Sequence, residues 1–231
     1  MAADNERILK SGEARSVRVE TGGGGAAEVV KRFASRSIAG TTLDRARASR
    51  EHALLGELHR RGVRVPRPIA LERQGDAWEV RMEWLDGARA LSEFLDERAD
   101  WPVARERVMR ALGELLASLH ASGVDHPDLH AGNALVDSRG AVWAIDFHKA
   151  RRVRSLRSKM LERDLVSLAA GVRERLPPYA RARFFHAWLR ALPEALRAKL
   201  PERRVLAADV ETLARDRRVQ VVRKRRASRC R

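Results

Sequence analysis

Three polar residues at fixed spacing constrain this chain more than any other feature. His126, Asp128 and Asn133 lie in Gly123-Val-Asp-His-Pro-Asp-Leu-His-Ala-Gly-Asn-Ala-Leu-Val-Asp137, and the short apolar strand Ala134-Leu-Val136 follows Asn133 directly. A turn at Asp137-Ser-Arg-Gly140 leads into a second strand, Ala141-Val-Trp-Ala-Ile145, which delivers Asp146 and Phe147. Two strands joined by a tight turn put Asn133 and Asp146 at neighbouring strand ends. Amide and carboxylate oxygens so placed can share Mg2+, a hard cation that takes oxygen ligands. Asp128, five residues before Asn133, is placed to orient an acceptor hydroxyl or take its proton.

The chain before this segment reads as a small sheet with one helix. Arg7-Ile-Leu-Lys10, Val17-Arg-Val-Glu20 and Ala27-Glu-Val-Val-Lys-Arg-Phe33 are strands, separated by turns at Ser11-Gly12-Glu13-Ala14 and Gly22–Gly25. A helical pattern runs from about Thr42 to Arg61, with Ala46, Leu54, Leu55 and Leu58 among charges and Gly62 as a stop. Val63-Arg-Val-Pro-Arg-Pro68 is an extended connector, and strands follow at 68–73 and 77–84. Beyond residue 85 the pattern turns helical. Asp100-Trp-Pro102 resembles a cap with proline in the first turn, and Val108, Leu112, Leu115 and Leu119 mark one face. Further helices are expected near 161–175, 178–191 and 205–217, with a charge run ending in Arg223-Lys-Arg-Arg226 expected to fray. The expected organisation is an α+β, two-lobed chain: residues 1–85, a larger mainly helical part over 86–214, and a basic tail over 215–231.

The H-x-D-x-x-x-x-N spacing followed by Ile145-Asp-Phe147 resembles the catalytic and metal-binding loops of protein kinases and related phosphotransferases. The resemblance implies a protein-kinase-like fold that uses ATP and Mg2+, with Asp128 as the catalytic base and Asn133 and Asp146 as metal ligands. His126 would then brace the loop. It also implies that Lys31 binds the ATP phosphates and is aimed by an ion pair with Glu51, or with Glu57 as the fallback on the same helix. The turn carrying Ser11 and Gly12 would cover the phosphates, although it matches G-x-G-x-x-G poorly. The Gly22–Gly25 run sits one hairpin later and is better explained as a distal turn. Met82-Glu-Trp-Leu85 falls where such folds link their lobes, so the backbone at Glu83 and Leu85 would pair with adenine. Leu135 would floor the adenine pocket.

Departures from ordinary protein kinases narrow the acceptor. Asp164 lies only 18 residues beyond Asp146, leaving no room for a long activation segment with A-P-E. His148 stands where D-F-G has glycine, and His130 where serine/threonine kinases often place lysine. The pattern more closely resembles the lipopolysaccharide core sugar kinases of the Kdo/WaaP family over residues 7–175. The likeness is carried by Val30-Lys-Arg-Phe33, Arg50-Glu51, Gly62-Val-Arg-Val-Pro-Arg-Pro68, His126-Pro-Asp-Leu-His-Ala-Gly-Asn133, Ile145-Asp-Phe-His-Lys-Ala-Arg-Arg152 and Arg163-Asp-Leu165. It implies transfer of the ATP γ-phosphate to an inner-core sugar hydroxyl, of 3-deoxy-D-manno-octulosonic acid (Kdo) or heptose, on a membrane-anchored glycolipid.

Charge enters at this point. The formal net charge is +16, which attracts polyanions. Lys149, Arg151, Arg152, Arg154, Arg157 and Lys159 follow the metal loop, where clustered cations can hold the carboxylates and phosphates of an anionic glycolipid. A solvated basic loop in an arginine-rich chain is the plainer reading of the same run. The N-terminus, Met1-Ala-Ala-Asp-Asn-Glu-Arg7, lacks the pattern of a secretory signal, and the one cysteine is Cys230. These features favour a cytoplasmic setting, and the family resemblance implies a place peripheral to the cytoplasmic face of the inner membrane.

Three other readings compete. A small atypical serine/threonine protein kinase of the Bud32-like kind would also lack an activation segment, and its basic tail would suit tRNA; nucleic acid is the less favoured partner. A nucleotide-binding adaptor is disfavoured by the joint presence of Lys31, Glu51, Asp128, Asn133 and Asp146. An aminoglycoside phosphotransferase is disfavoured by charge, because cationic substrates favour acidic pockets.

Overall fold

The computed structural model describes residues 7–11, 15–21, 25–35, 38–97 and 102–229. The chain divides into two compact units between Asp86 and Gly87, and Asp146–Arg151 rejoin the first unit.

In the first unit, β1 (Arg7–Lys10), β2 (Arg15–Thr21) and β3 (Ala27–Phe33) precede helix α1 (Ile38–Arg60), and β4 (Pro68–Gln74) and β5 (Ala77–Glu83) follow it. The strands form one antiparallel sheet in the order β1-β2-β3-β5-β4. Side chains alternate across a strand, so residues paired in register share a face. Val17, Lys31, Val80 and Leu71 are paired across four strands, and Phe33 pairs with Trp78 on the same face. This is the face on which Lys31 lies.

The opposite face carries charge. Arg18 donates to both oxygens of Glu79 at 3.1 Å, Arg32 meets the same carboxylate at 3.5 Å, and Arg81 reaches Glu72 and Glu20 at 3.1 Å and Glu28 at 3.5 Å. Glu79 and Val30 are both buried there. In a small sheet a buried carboxylate needs such partners, since an unpaired buried charge is costly.

Helix α1 turns Ala48, Leu54, Leu55 and Leu58 inward, together with Glu51. It begins four residues earlier than the sequence pattern placed it, and it stops where Gly62 takes φ 74° while Val63 N–H returns to Leu58 O at 3.0 Å.

The second unit is mainly helical. It contains β6 (Arg89–Ala90), α2 (Leu91–Asp96), α3 (Pro102–Ala121), β7 (Val124–Asp125), β8 (Ala134–Val136) and β9 (Val142–Ala144). After these come α4 (Ser158–Val172), α5 (Pro178–Ala191), α6 (Glu194–Arg197) and α7 (Arg203–Arg229). The face of α3 read from the sequence is buried at Val108, Leu112, Leu115 and Leu119. It packs on α5 through Phe184 and Trp188. A Cβ at Gly113 would lie 2.5 Å from Phe184 O and 2.7 Å from Trp188 N, so this crossing requires a glycine. Helix α7 packs on α4, with Leu206, Val210 and Ala214 buried, and its backbone stays helical through the charge run expected to fray. The expected α+β composition, a small antiparallel sheet with one helix followed by a helical part, is what the chain adopts.

Candidate active site

In the first unit, β3 brings Lys31 to the inner face of the sheet and α1 brings Glu51 to meet it. Lys31 Nζ donates to Glu51 Oε1 at 2.8 Å, and Lys31 also pairs with Asp146 Oδ1. Lys31 is buried to 6% exposure and Glu51 to 1%, so this is not a solvated strand lysine. Glu57, the fallback partner, is taken by Arg61 one turn on, at 2.8 Å. The backbone N–H of Phe147 donates to the same Glu51 oxygen at 2.9 Å. One carboxylate oxygen thus ties the lysine to the segment that follows Asp146. Burial pushes the Glu51 carboxyl above its ordinary value, with the Lys31 charge opposing.

Asp146 is the one non-glycine residue with positive φ among the described residues, at 65°. Burial alone would raise its pKa, but hydrogen bonding from His148 and the charge of Lys31 outweigh burial and hold the carboxyl far below its ordinary value. It is a carboxylate at any working pH, as a cation ligand must be.

In the second unit the loop after β7 is drawn tight by its own backbone. Leu129 N–H returns to His126 O at 3.1 Å, and Asn133 N–H to His130 O at 2.8 Å. The Asn133 side chain donates Nδ2 to Asp128 O at 2.9 Å, which joins the expected base and ligand in one loop. Committing the NH2 group leaves the amide oxygen, the hard ligand atom that Mg2+ takes. Strands β8 and β9 pair as the sequence predicts, Ala134 with Ala144, and Ile145 N–H reaches Asn133 O at 3.0 Å. Asn133 and the residue preceding Asp146 are therefore hydrogen-bonded neighbours. Among the described residues no cluster of three His, Cys, Asp or Glu side chains forms a protein-only metal cage.

The other expected site residues are placed as follows. Ser11 is exposed at the end of β1, and Gly12 lies outside the described residues. Glu83 closes β5, with its N–H on Arg67 O at 2.9 Å, and Leu85 follows it, half-buried. Leu135 is half-buried on β8, paired with Ala90 and Trp143. Lys149, Arg151, Arg152, Arg154, Arg157 and Lys159 are all exposed. Among the described residues no helix is long and apolar enough to cross a membrane.

Two sets of residues escaped the sequence. The first is His148, noticed only as a missing glycine: its Nδ1 meets Asp146 Oδ1 and its ring is buried. The second is a buried chain beneath the loop. Arg163 donates to Asp125 and to Asp164, and Asp164 in turn meets His120 Nε2 at 3.2 Å. The indole N–H of Trp188 donates to His120 Nδ1 at 3.1 Å. An indole only donates, so His120 Nδ1 accepts and Nε2 carries the hydrogen given to Asp164. Gly171 on α4 completes the support, since a Cβ there would lie 2.8 Å from that of Ala131 in the same loop. The run Arg163-Asp164-Leu165 was the available signal, but it carries no sign of what it holds.

The lipopolysaccharide kinase (Kdo/WaaP) family model matches residues 23–188. The chain is 36% identical over 134 residues to a 3-deoxy-D-manno-octulosonic acid kinase of Xanthomonas oryzae pv. oryzae, covering 54% of this chain and 52% of that protein. It is 34% identical over 166 residues to the protein of that name in Stenotrophomonas maltophilia, covering 64% and 63%. A Vibrio cholerae protein of the same name is 34% identical over 113 residues, covering 47% and 46%. The chain spans about half the length of the first of these curated relatives. With the matched segment running from the sheet to α5, the chain belongs to the lipopolysaccharide kinase (Kdo/WaaP) family.

Proposed function

We propose that this protein transfers the γ-phosphate of ATP to a hydroxyl of a Kdo residue in the inner core of lipopolysaccharide. The observation that carries this reading is the buried contact of Lys31 with both Glu51 and Asp146. A cation held by two carboxylates in a water-poor setting is a preorganised partner for phosphate oxygens. Family membership supports a sugar hydroxyl as acceptor, and the three relatives described above, each named as a Kdo kinase, favour Kdo over heptose.

In this reading Lys31 steadies the ATP phosphates and Glu51 aims Lys31. Asp146 and Asn133 are the side chains that would hold Mg2+. Bound there, Mg2+ would neutralise the phosphate charge that builds as the bond to the leaving group stretches. Asp128 orients the sugar hydroxyl and accepts its proton as the new O–P bond forms and ADP departs. The backbone at Glu83 and Leu85 pairs with adenine over Leu135, and the Ser11–Gly12 turn covers the phosphates. The exposed cations of residues 149–159 hold the anionic glycolipid, which puts the protein at the cytoplasmic face of the inner membrane as a peripheral partner.

The experiment is incubation of the full chain with Mg2+ and γ-labelled ATP against Kdo-lipid A, a heptosylated core, a protein mixture and tRNA. Label on Kdo-lipid A is expected. Label on the heptosylated core alone would move the acceptor to heptose. Label on protein would favour the small protein-kinase reading, and no label with no ATP hydrolysis would favour an adaptor. Charge reversal at Arg151, Arg152 and Arg154 should weaken use of the glycolipid; unchanged use would remove these residues from the binding surface.

A further inference from the structure

We infer that His148, which stands where D-F-G has glycine, is a positioning residue that decides which oxygen of Asp146 remains for the cation. The inference rests on the phosphotransfer reading above and adds to it a side chain with no assigned role.

The argument starts from the hydrogen bonds on Asp146. Both protein donors, Lys31 Nζ and His148 Nδ1, go to the same oxygen, Oδ1. Oδ2 takes no hydrogen bond among the described residues, while the residue as a whole is part-buried. A carboxylate whose two donors converge on one oxygen cannot flip its oxygens without giving both up. The free oxygen is therefore fixed, and a cation ligand needs that definition.

The backbone needs the same help. A non-glycine residue at φ 65° sits in the left-handed region, which persists only where surrounding contacts impose it. Three contacts do so here: Lys31 and His148 on the carboxylate, and Phe147 N–H on Glu51. The 3-10 turn Phe147–Lys149 packs against α1, and His148 is 7% exposed, so its ring is held from outside as well. A glycine at this position would offer neither the donor nor the packing. In this chain the imidazole replaces backbone freedom with a hydrogen bond.

The test is Mn2+ binding to the full chain with a non-hydrolysable ATP analogue, read by electron paramagnetic resonance alongside far-UV circular dichroism. His148→Ala and His148→Leu, the latter keeping apolar volume without a donor, should weaken Mn2+ affinity by about ten- to a hundred-fold. His148→Asn, whose side-chain N–H can replace Nδ1–H, should recover most of that loss. Metal-free nucleotide affinity should stay near wild type in all three. Folded Ala or Leu variants that bind Mn2+ like wild type would overturn the inference and leave the phosphotransfer reading intact. So would an Asn variant as weak as Leu, since the hydrogen bond would then not be the cause. A wild-type chain that binds no metal–nucleotide complex would sink both.

Discussion

Arg163 on α4 donates to the carboxylate of Asp125 at 2.6 Å, and Asp125 immediately precedes His126 in the loop that carries Asp128. The same guanidinium nitrogen donates to Asp164 at 2.7 Å. The loop is thus hung from a helix by a charged pair that is itself anchored through His120 to Trp188.

Asp164→Ala should therefore damage both folding and activity. It leaves the buried His120 Nε2–H without its acceptor and Arg163 with Asp125 alone, at a cost of about 1–3 kcal/mol. Urea denaturation would measure the loss, and transfer to Kdo-lipid A should fall more than the folded fraction does.

Substitution of Lys31 by Met should lower kcat/KM for ATP by about two to three orders of magnitude. The fold should survive, because a buried methionine keeps much of the volume. Glu51, already pushed upward by burial, would lose the larger of the charges that oppose that shift and take up a proton more readily. Steady-state kinetics with Glu51→Gln alongside should show a smaller loss, since Lys31 would still reach Asp146.

Asp128→Ala should abolish transfer by about two to four orders of magnitude while nucleotide affinity stays near wild type. Asp146→Ala should weaken metal-dependent nucleotide binding as well. Fluorescent-nucleotide titration with and without Mg2+ separates the two; equal activity in the Asp128 variant would take the proton-acceptor role away from it.

Gly113→Ala should cost about 1–3 kcal/mol, because its Cβ would meet backbone rather than a flexible side chain and α3 and α5 would have to part. Thermal unfolding should show this without any change in metal affinity.

Asp137 gives a pH-dependent test. Burial acts to raise its pKa, but the Trp143 indole and the N–H groups of Ala141 and Arg139 outweigh burial and lower it. A carboxyl lower in the folded state than in the unfolded one stabilises above its unfolded value, about 3.9. That contribution fades as pH falls through the folded value. Asp137→Ala should lower Tm at pH 7, and the gap from wild type should narrow in melts run below about pH 4.

Much of this was legible in advance where chemistry and spacing are local. The H-x-D-x-x-x-x-N run places Asp128 and Asn133 in one loop because five residues can turn only so far, and β8 and β9 follow from their turn. Glu51 could be named because α1 follows β3 closely and Glu57 falls nearer the helix end. Long-range relations left no such trace. Asp125 and Arg163 are 38 residues apart, and neither residue type announces the other. His148 was visible only as the loss of a glycine, since its hydrogen bond depends on a left-handed Asp146 that no periodicity encodes. Helix α7 outran its expected end because no Gly or Pro occurs after Glu202 to stop it; charge density alone does not break a helix.

Arg81 meets carboxylates from all of β2, β3, β4 and β5, through Glu20, Glu28, Glu72 and Glu79. Only a planar fork with several donors can hold so many strands from one side chain. The sheet is therefore clasped on its charged face as a hand of cards is held by one thumb. One cation set against four carboxylates takes nothing from the net +16, so the basic surplus lies elsewhere on the chain. Exchange of Arg81 for lysine would keep the net charge and still loosen the fan.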